Sequence, residues 1–218
     1  MHTLNRILLA GVFLLAAGAN AQTAPAVVTR YCSGCHGLTG MSQSPYVPRL
    51  AGMGVSYLAG KFASYQAATP PTSDEVFEII LRLGAVSSDG GITPAGKSEM
   101  VGVAHRVSDK DAKIAIEWYA SRQPAPGKAQ KGKAIEEGER LYANGVESKG
   151  VQPCQSCHGT AAEGTDTVPR LAGQHAAYVF RQLALFRSGA RRESPMAEIA
   201  RNLETDEARA LSHYLQSR

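Results

Sequence analysis

A five-residue pattern occurs twice in this 218-residue chain, as Cys32-Ser33-Gly34-Cys35-His36 and as Cys154-Gln155-Ser156-Cys157-His158, and it uses all four cysteines. Cys-x-x-Cys-His is the attachment pattern of c-type haem: two thiols add across the two vinyl groups of one porphyrin, and the next residue turns its imidazole onto the iron. Two copies predict two covalently bound haem c groups, attached through Cys32, Cys35, Cys154 and Cys157, with His36 and His158 as iron ligands. A lone Cys-x-x-Cys is also half a zinc site or a redox dithiol. A zinc knuckle built from both pairs would have to join distant segments and would leave the two histidines without a role. With every thiol committed, none remains for a disulfide or a catalytic nucleophile.

The start of the chain bears on compartment. Residues 1–21 read as an export signal, with His2 and Arg6 as a weakly basic start, an apolar run over 7–17 and the small-x-small pattern Ala19-Asn20-Ala21. The run is too short to span a bilayer, and no later stretch approaches the ~20 apolar residues that a spanning helix needs. The expectation is a mature chain from Gln22 with no transmembrane span, located in the periplasm, since haem is attached to apocytochromes outside the bacterial cytoplasm. An uncleaved amino-terminal anchor is the competing reading. The formal net charge is +4, and Arg6 leaves with the signal. So mild a balance lacks the concentrated basic face of a nucleic-acid binder, and no nucleic-acid partner is expected. The clusters Lys128, Lys131, Lys133 and Arg187, Arg191, Arg192 read as solvated surface or linker.

An internal repeat organises the rest. Pro48-Arg49-Leu50-Ala51-Gly52 recurs identically as Pro169-Arg170-Leu171-Ala172-Gly173. A helical stripe follows each copy, Leu58, Phe62 and Tyr65 matching Val179, Leu183 and Phe186, with Tyr57 on Tyr178. Further on, Met100 falls on Met196, Ala104 on Ala200, Asp111 on Glu207 and Trp118 on Tyr214. Each half ends in a predicted helix, whose inner face is Ala112, Ala115, Ile116 and Tyr119 in one and Ala208, Leu211, Ser212 and Leu215 in the other. Ser108 with Asp111, and Thr205 with Asp206 and Glu207, read as the caps that start them. The prolines and glycine after Gln123 break the first of these helices, so the domains are read as 22–123 and 131–218, joined by a linker over 124–130. A short helix is expected over 136–143.

A haem held by one histidine needs a sixth ligand or an open iron, and a methionine thioether there raises the reduction potential. Met196, just before the terminal helix, is the expected ligand in the second half, and Met100, its repeat mate, in the first. Met41 and Met53 have no methionine mate and read as core filler. His105, His175 and His213 read as surface or hydrogen-bonding residues. Pro48 and Pro169 follow their haem histidines by 12 and 11 residues, a distance suited to a carbonyl that accepts the imidazole N–H and fixes the ring. Arg49 and Arg170 are candidates to pair with haem propionates.

The haem motifs, the Pro-Arg-Leu-Ala-Gly repeats and the methionine-then-helix endings resemble the dihaem class I cytochromes c, especially the cytochrome c4 group, over almost the whole mature chain. The resemblance implies an all-α fold of two tandem class I cytochrome c domains, each wrapped around one covalently attached His/Met haem. It implies a periplasmic electron carrier, not an enzyme, with a quinol–cytochrome c reductase or a dehydrogenase as donor and a terminal oxidase as acceptor. Some members of the group associate peripherally with the membrane. This sequence departs from the pattern in its first half. Ten mature residues, 22–31, precede Cys32, so the usual amino-terminal helix must be very short or missing. The stretch between Tyr65 and Met100 is expanded, with a helix expected over 74–83 and a glycine-bearing loop over 87–96. Three functions stay open: a shuttle between respiratory partners, the electron-accepting subunit of a periplasmic dehydrogenase such as a sulfide-oxidising flavocytochrome, and a haem enzyme or sensor, which would require Met100 to leave the first iron open.

Overall fold

Two apolar clusters organise the chain, one for each half of the repeat. The computed structural model describes residues 23–70 and 99–218. The export signal expected over 1–21 and the elements expected over 74–83 and 87–96 lie outside the described residues. The fold is all-α, and among the described residues the only β-type pairing is an isolated bridge between Val146 and Val151.

In the first half, a π-helical turn (Val28–Cys32) runs directly into α1 (Ser33–His36), followed by α2 (Val55–Gln66), α3 (Glu99–Ala104) and α4 (Asp109–Ala120). The second half adds α5 (Lys133–Asn144) before α6 (Gln155–His158), α7 (Ala176–Ser188), α8 (Met196–Arg201) and α9 (Thr205–Ser217). Thus α6 to α9 repeat α1 to α4, while the counterpart of α5 among the described residues is the π-helical turn. Val27 and Val28 anchor that turn against Ala112, Ala115, Trp118 and Tyr119 of α4.

The apolar spacing explains which faces are buried. In α4 the buried side chains are Ala112, Ala115, Trp118 and Tyr119, with Ile116 half-buried. In α9 they are Ala208, Ala210, Leu211, Ser212, Tyr214 and Leu215, packed on Leu141 and Tyr142 of α5.

Three local expectations need correction. α5 starts at Lys133, not 136, because Gly132 (φ 126°) turns the chain and its carbonyl accepts from the amides of Ile135 and Glu136. The cap of α9 is Glu204, not Thr205: its carboxylate and that of Glu207 each accept the other's backbone N–H in a reciprocal box, and the Thr205 hydroxyl instead accepts from Arg187 Nη1 at 2.8 Å. Ser108 does cap α4, accepting from the Asp111 amide at 3.1 Å, but its hydroxyl donates to the Asp111 carboxylate, so that pair is not reciprocal.

The segment after Gln123 is extended but not loose. Ala125 is buried and the Lys128 amide donates to the Gln216 carbonyl at 3.0 Å. Gly52 and Gly173, both at positive φ, flank it: a β-carbon on Gly52 would meet Pro124 at 2.4 Å and one on Gly173 the Ala125 carbonyl oxygen at 2.6 Å. The repeated glycine therefore leaves room for the connecting strand of chain to pass between the halves.

Candidate haem sites and the interface between them

Each Cys-x-x-Cys-His motif closes a single helical turn that delivers its histidine inward. His36 and His158 are buried, as the last residues of α1 and α6. Their Nδ1 atoms lie 2.9 Å from the Pro48 carbonyl oxygen and 3.0 Å from that of Pro169. A carbonyl only accepts, so each Nδ1 carries the hydrogen and each Nε2 presents its lone pair, which is the form that binds a metal. Burial holds both imidazoles below the usual histidine range, and the carbonyl bonds work weakly against it. The rings are thereby neutral, oriented and ready to ligate.

The thiols divide in the same way in both halves. Cys32 and Cys154 are half-buried against their separate clusters, while Cys35 and Cys157 are exposed. Burial, followed for Cys154 by the proximity of Cys157 and for Cys32 by that of Cys35, pushes the inner thiols up to about 11. A redox-active Cys-x-x-Cys requires the opposite shift, and the two pairs do not converge as a zinc knuckle would require.

Two tyrosines, one not paired with the other by the repeat, clamp the backbone after each histidine. Tyr119 of α4 donates to the Gly37 carbonyl at 3.0 Å, and Tyr142 of α5 to the Gly159 carbonyl at 2.5 Å. The first half takes this bond from its carboxyl-terminal helix, the second from the helix that precedes its haem motif. Sequence comparison of the halves hides the equivalence, because Tyr119 aligns with Leu215 and Tyr142 with nothing. Trp118 Nε1 adds a bond to the Leu38 carbonyl at 2.7 Å.

Met196 is the first residue of α8, half-buried on the second cluster, and Met100 is the second residue of α3, also half-buried. Met196 thus opens a short helix of its own ahead of the terminal one. Met53 is buried at the interface and Met41 is half-buried. His105 Nε2 bonds the Ala68 carbonyl at 2.8 Å.

The two Pro-Arg-Leu-Ala-Gly segments meet across the interface. Arg49 Nη1 donates to the Gly173 carbonyl at 2.5 Å, its amide to Gln174 Oε1 at 2.9 Å, and Gln174 Nε2 returns a bond to the Arg49 carbonyl at 3.1 Å. Arg49 and Arg170 line one crevice, and the Nε of each is buried with no hydrogen-bond partner among the described residues. Buried guanidinium donors are rarely left so. Arg181 Nε likewise makes no hydrogen bond among the described residues, but the donors of Arg49 and Arg170 come one residue after the prolines that orient the imidazoles, a position in the repeat that fits the carboxylates of two porphyrins.

The interface also holds a buried histidine that the repeat does not predict. His175 Nε2 lies 3.0 Å from the Ser42 carbonyl and 3.1 Å from Ser42 Oγ, whose own proton goes to the Val47 carbonyl at 2.6 Å. Burial first, then Arg49 and Lys128, holds His175 below its ordinary value of 6.5. The folded state binds fewer protons than the unfolded one, so this contact is fully stabilising above about pH 6.5 and weakens as pH falls below it. Hydrogen exchange corrected for intrinsic rate should show the amides of 41–47 losing protection between pH 7.5 and 5, and His175→Phe should abolish that dependence.

Haem-ready turns, one in each of two tandem all-α units, define a pair of class I cytochrome c domains. The Cytochrome c family model matches residues 135–218. Cytochrome c4 of Azotobacter vinelandii is 35% identical over 191 residues, covering 85% of this chain and 83% of the relative. The crystal structure of reduced recombinant cytochrome c4 from Pseudomonas stutzeri is similar with a TM-score of 0.73 and 30% identity, over 90% of this chain and 99% of that one. A thiosulfate dehydrogenase electron acceptor of Thiomonas intermedia is 28% identical over 212 residues, 94% of this chain and 86% of the relative. The chain belongs to the cytochrome c4 family. It is a dihaem electron-transfer cytochrome carrying two covalently bound haem c groups. No helix among the described residues is long and apolar enough to cross a membrane.

Proposed function

We propose that this protein is a periplasmic shuttle that takes electrons from a quinol–cytochrome c reductase or a dehydrogenase and passes them toward a terminal oxidase. In this reading residues 1–21 direct export, and 22–123 and 131–218 form the two domains, joined through 124–130. Cys32 and Cys35 attach one haem and Cys154 and Cys157 the other. His36 and His158 would hold the irons, with Met100 and Met196 as the second protein ligands. Haem, when bound, supplies a one-electron ferric/ferrous couple. The protein's part is to hold that couple: the Pro48 and Pro169 carbonyls orient the histidines and raise their basicity, Arg49 and Arg170 neutralise propionate charge, and the methionines favour the ferrous state. With two side chains holding each iron, no coordination site would be left for substrate, as a carrier requires and an enzyme does not. A catalytic or sensing role follows only if Met100 does not ligate.

The observation that carries the reading is the orphaned guanidinium Nε repeated in Arg49 and Arg170 beside two carbonyl-oriented imidazoles. The likeness to a thiosulfate dehydrogenase electron acceptor favours a second reading, in which the chain is no shuttle but the dedicated electron-accepting subunit of a periplasmic dehydrogenase acting on a reduced sulfur compound. Anaerobic stopped-flow mixing separates the two. The shuttle predicts rapid reduction of the ferric holoprotein by quinol plus membranes containing the reductase and, once oxygen is admitted, rapid reoxidation by oxidase-containing membranes. The second predicts rapid reduction only by thiosulfate with its dehydrogenase. Two electrons per chain are expected in either case.

A further inference from the structure

The loop that leads into Met196 and α8 is fastened to the other domain. Glu193 Oε1 lies 2.5 Å from Lys61 Nζ on α2, 132 residues away in sequence. Its second oxygen accepts from Arg191 Nε at 3.0 Å, and Arg191 Nη1 donates to Gln182 of α7 at 2.7 Å while its guanidinium lies 4.2 Å from the Phe186 ring centroid. Gln182 holds Arg191 to its own domain, while Lys61, through Glu193, and Tyr57 of α2, through a side-chain hydrogen bond with Arg191, tie the loop across the interface. The path from the tie to the methionine is short: Ser194 and Pro195 intervene, and Ser194 Oγ donates to Glu198 Oε1 at 2.8 Å, closing the first turn of α8 over Met196.

Burial of Glu193 acts to raise its pKa, but the Lys61 hydrogen bond, its own backbone and Arg191 together bring it down to about 2. Glu193 is thus ionised throughout the neutral range. The Lys61 side chain is 23% exposed and that of Glu193 50%, so the pair is partly screened and its influence is bounded at the size of an ordinary surface ion pair.

We infer that Lys61 is a positioning residue for the second haem: through Glu193 it holds the Met196 loop in the ligating position, so that the first domain acts on the second iron's sixth ligand. The inference rests on the reading of Met196 as that ligand. It is asymmetric, because the repeat mate of Lys61 is Gln182, which serves Arg191 on the same loop instead.

The test is imidazole competition on the ferric full-length holoprotein, followed at the sulfur-to-iron band near the red, in wild type, Lys61→Met, Lys61→Arg, Glu193→Gln and the Lys61→Met/Glu193→Gln double variant. For the haem whose half of the band Met196→Ala removes, Lys61→Met and Glu193→Gln should each raise imidazole affinity about two- to five-fold, the range a surface pair supports. The double variant should exceed neither by much, since the two act as one unit. Lys61→Arg should restore the wild-type value, and ~1 M salt, where the Debye length is ~3 Å, should move wild type toward Lys61→Met. The other haem should not respond. If Met196→Ala removes half the band while neither Lys61→Met nor Glu193→Gln changes the affinity, the positioning role is wrong and the ligand assignment stands. If Met196→Ala leaves the band whole, the assignment fails and the inference with it.

Discussion

Met196→Ala should abolish about half of the ferric sulfur-to-iron band and lower the potential of one haem by on the order of 100 mV, a fraction of the ~0.8 V that axial ligation spans. The thioether is a soft donor that favours ferrous iron, and nothing else at that place supplies one. Met196 opens α8, and its neighbours in the second cluster, among them Leu183, Ile199 and Leu203, are apolar. Alanine leaves the helix start intact and offers no donor, so the effect should be on ligation and potential, with the fold kept. Met100→Ala should remove the other half. Met41→Ala serves as the control, since it sits just beyond the first haem motif and outside α3 and α8. Absorbance in the red together with a two-haem redox titration reads every arm. A full band in Met100→Ala would mean that the first iron is open or otherwise ligated, and would bring the sensing or catalytic role forward.

Gly138→Leu is expected to be the most damaging single change to the fold. Gly138 sits inside α5 where that helix crosses α9, and a β-carbon there would come 2.3 Å from the Ala210 carbonyl oxygen and 2.6 Å from Tyr214 Cβ. Backbone meets backbone at this crossing, and a carbonyl cannot rotate away as a long side chain could. The helices must separate, which loosens the fully buried Leu141 and Tyr142 and the packing of Leu211 and Leu215. Overpacking costs 1–3 kcal/mol and occasionally more. For a domain of this size about 3 kcal/mol corresponds to a fall in Tm of roughly 10–20 °C. Because the first cluster shares no residue with the second, calorimetry of the holoprotein should show the second domain's transition moving down with the first much less affected. Loss of the Tyr142 bond to Gly159 should also make the second haem site more open to added ligands.

These two expectations stand on opposite sides of what the sequence made legible. Met196 was visible as a repeat mate ahead of a helical stripe. Gly138 was not, because one glycine in a helical segment reads as a weak spot until the crossing helix is known. Tyr142 and Tyr119 were hidden for a related reason: the same bond to the residue after the haem histidine is supplied from different ends of the two domains, so no alignment of the halves pairs them. Glu204 lost its place as a cap to the more usual Thr205, since local preference cannot foresee that an Arg187 side chain will engage the threonine hydroxyl.

Chemistry that resides in one short segment was settled by the sequence alone. The Cys-x-x-Cys-His spacing dictates covalent haem, its duplication dictates two haems, and the 3.6-residue periodicity of the terminal stripes dictates helices. These follow from bond lengths and helical pitch, which need nothing from the rest of the chain. The tertiary structure decided everything that depends on segments far apart: Arg49 bonded to Gly173, His175 seated on Ser42, Lys61 tied to Glu193, and Pro124 and Ala125 passing between Gly52 and Gly173. Each is a polar group or a bare backbone that finds its complement only once the two apolar clusters have formed and been brought together, and a linear pattern carries no record of that pairing.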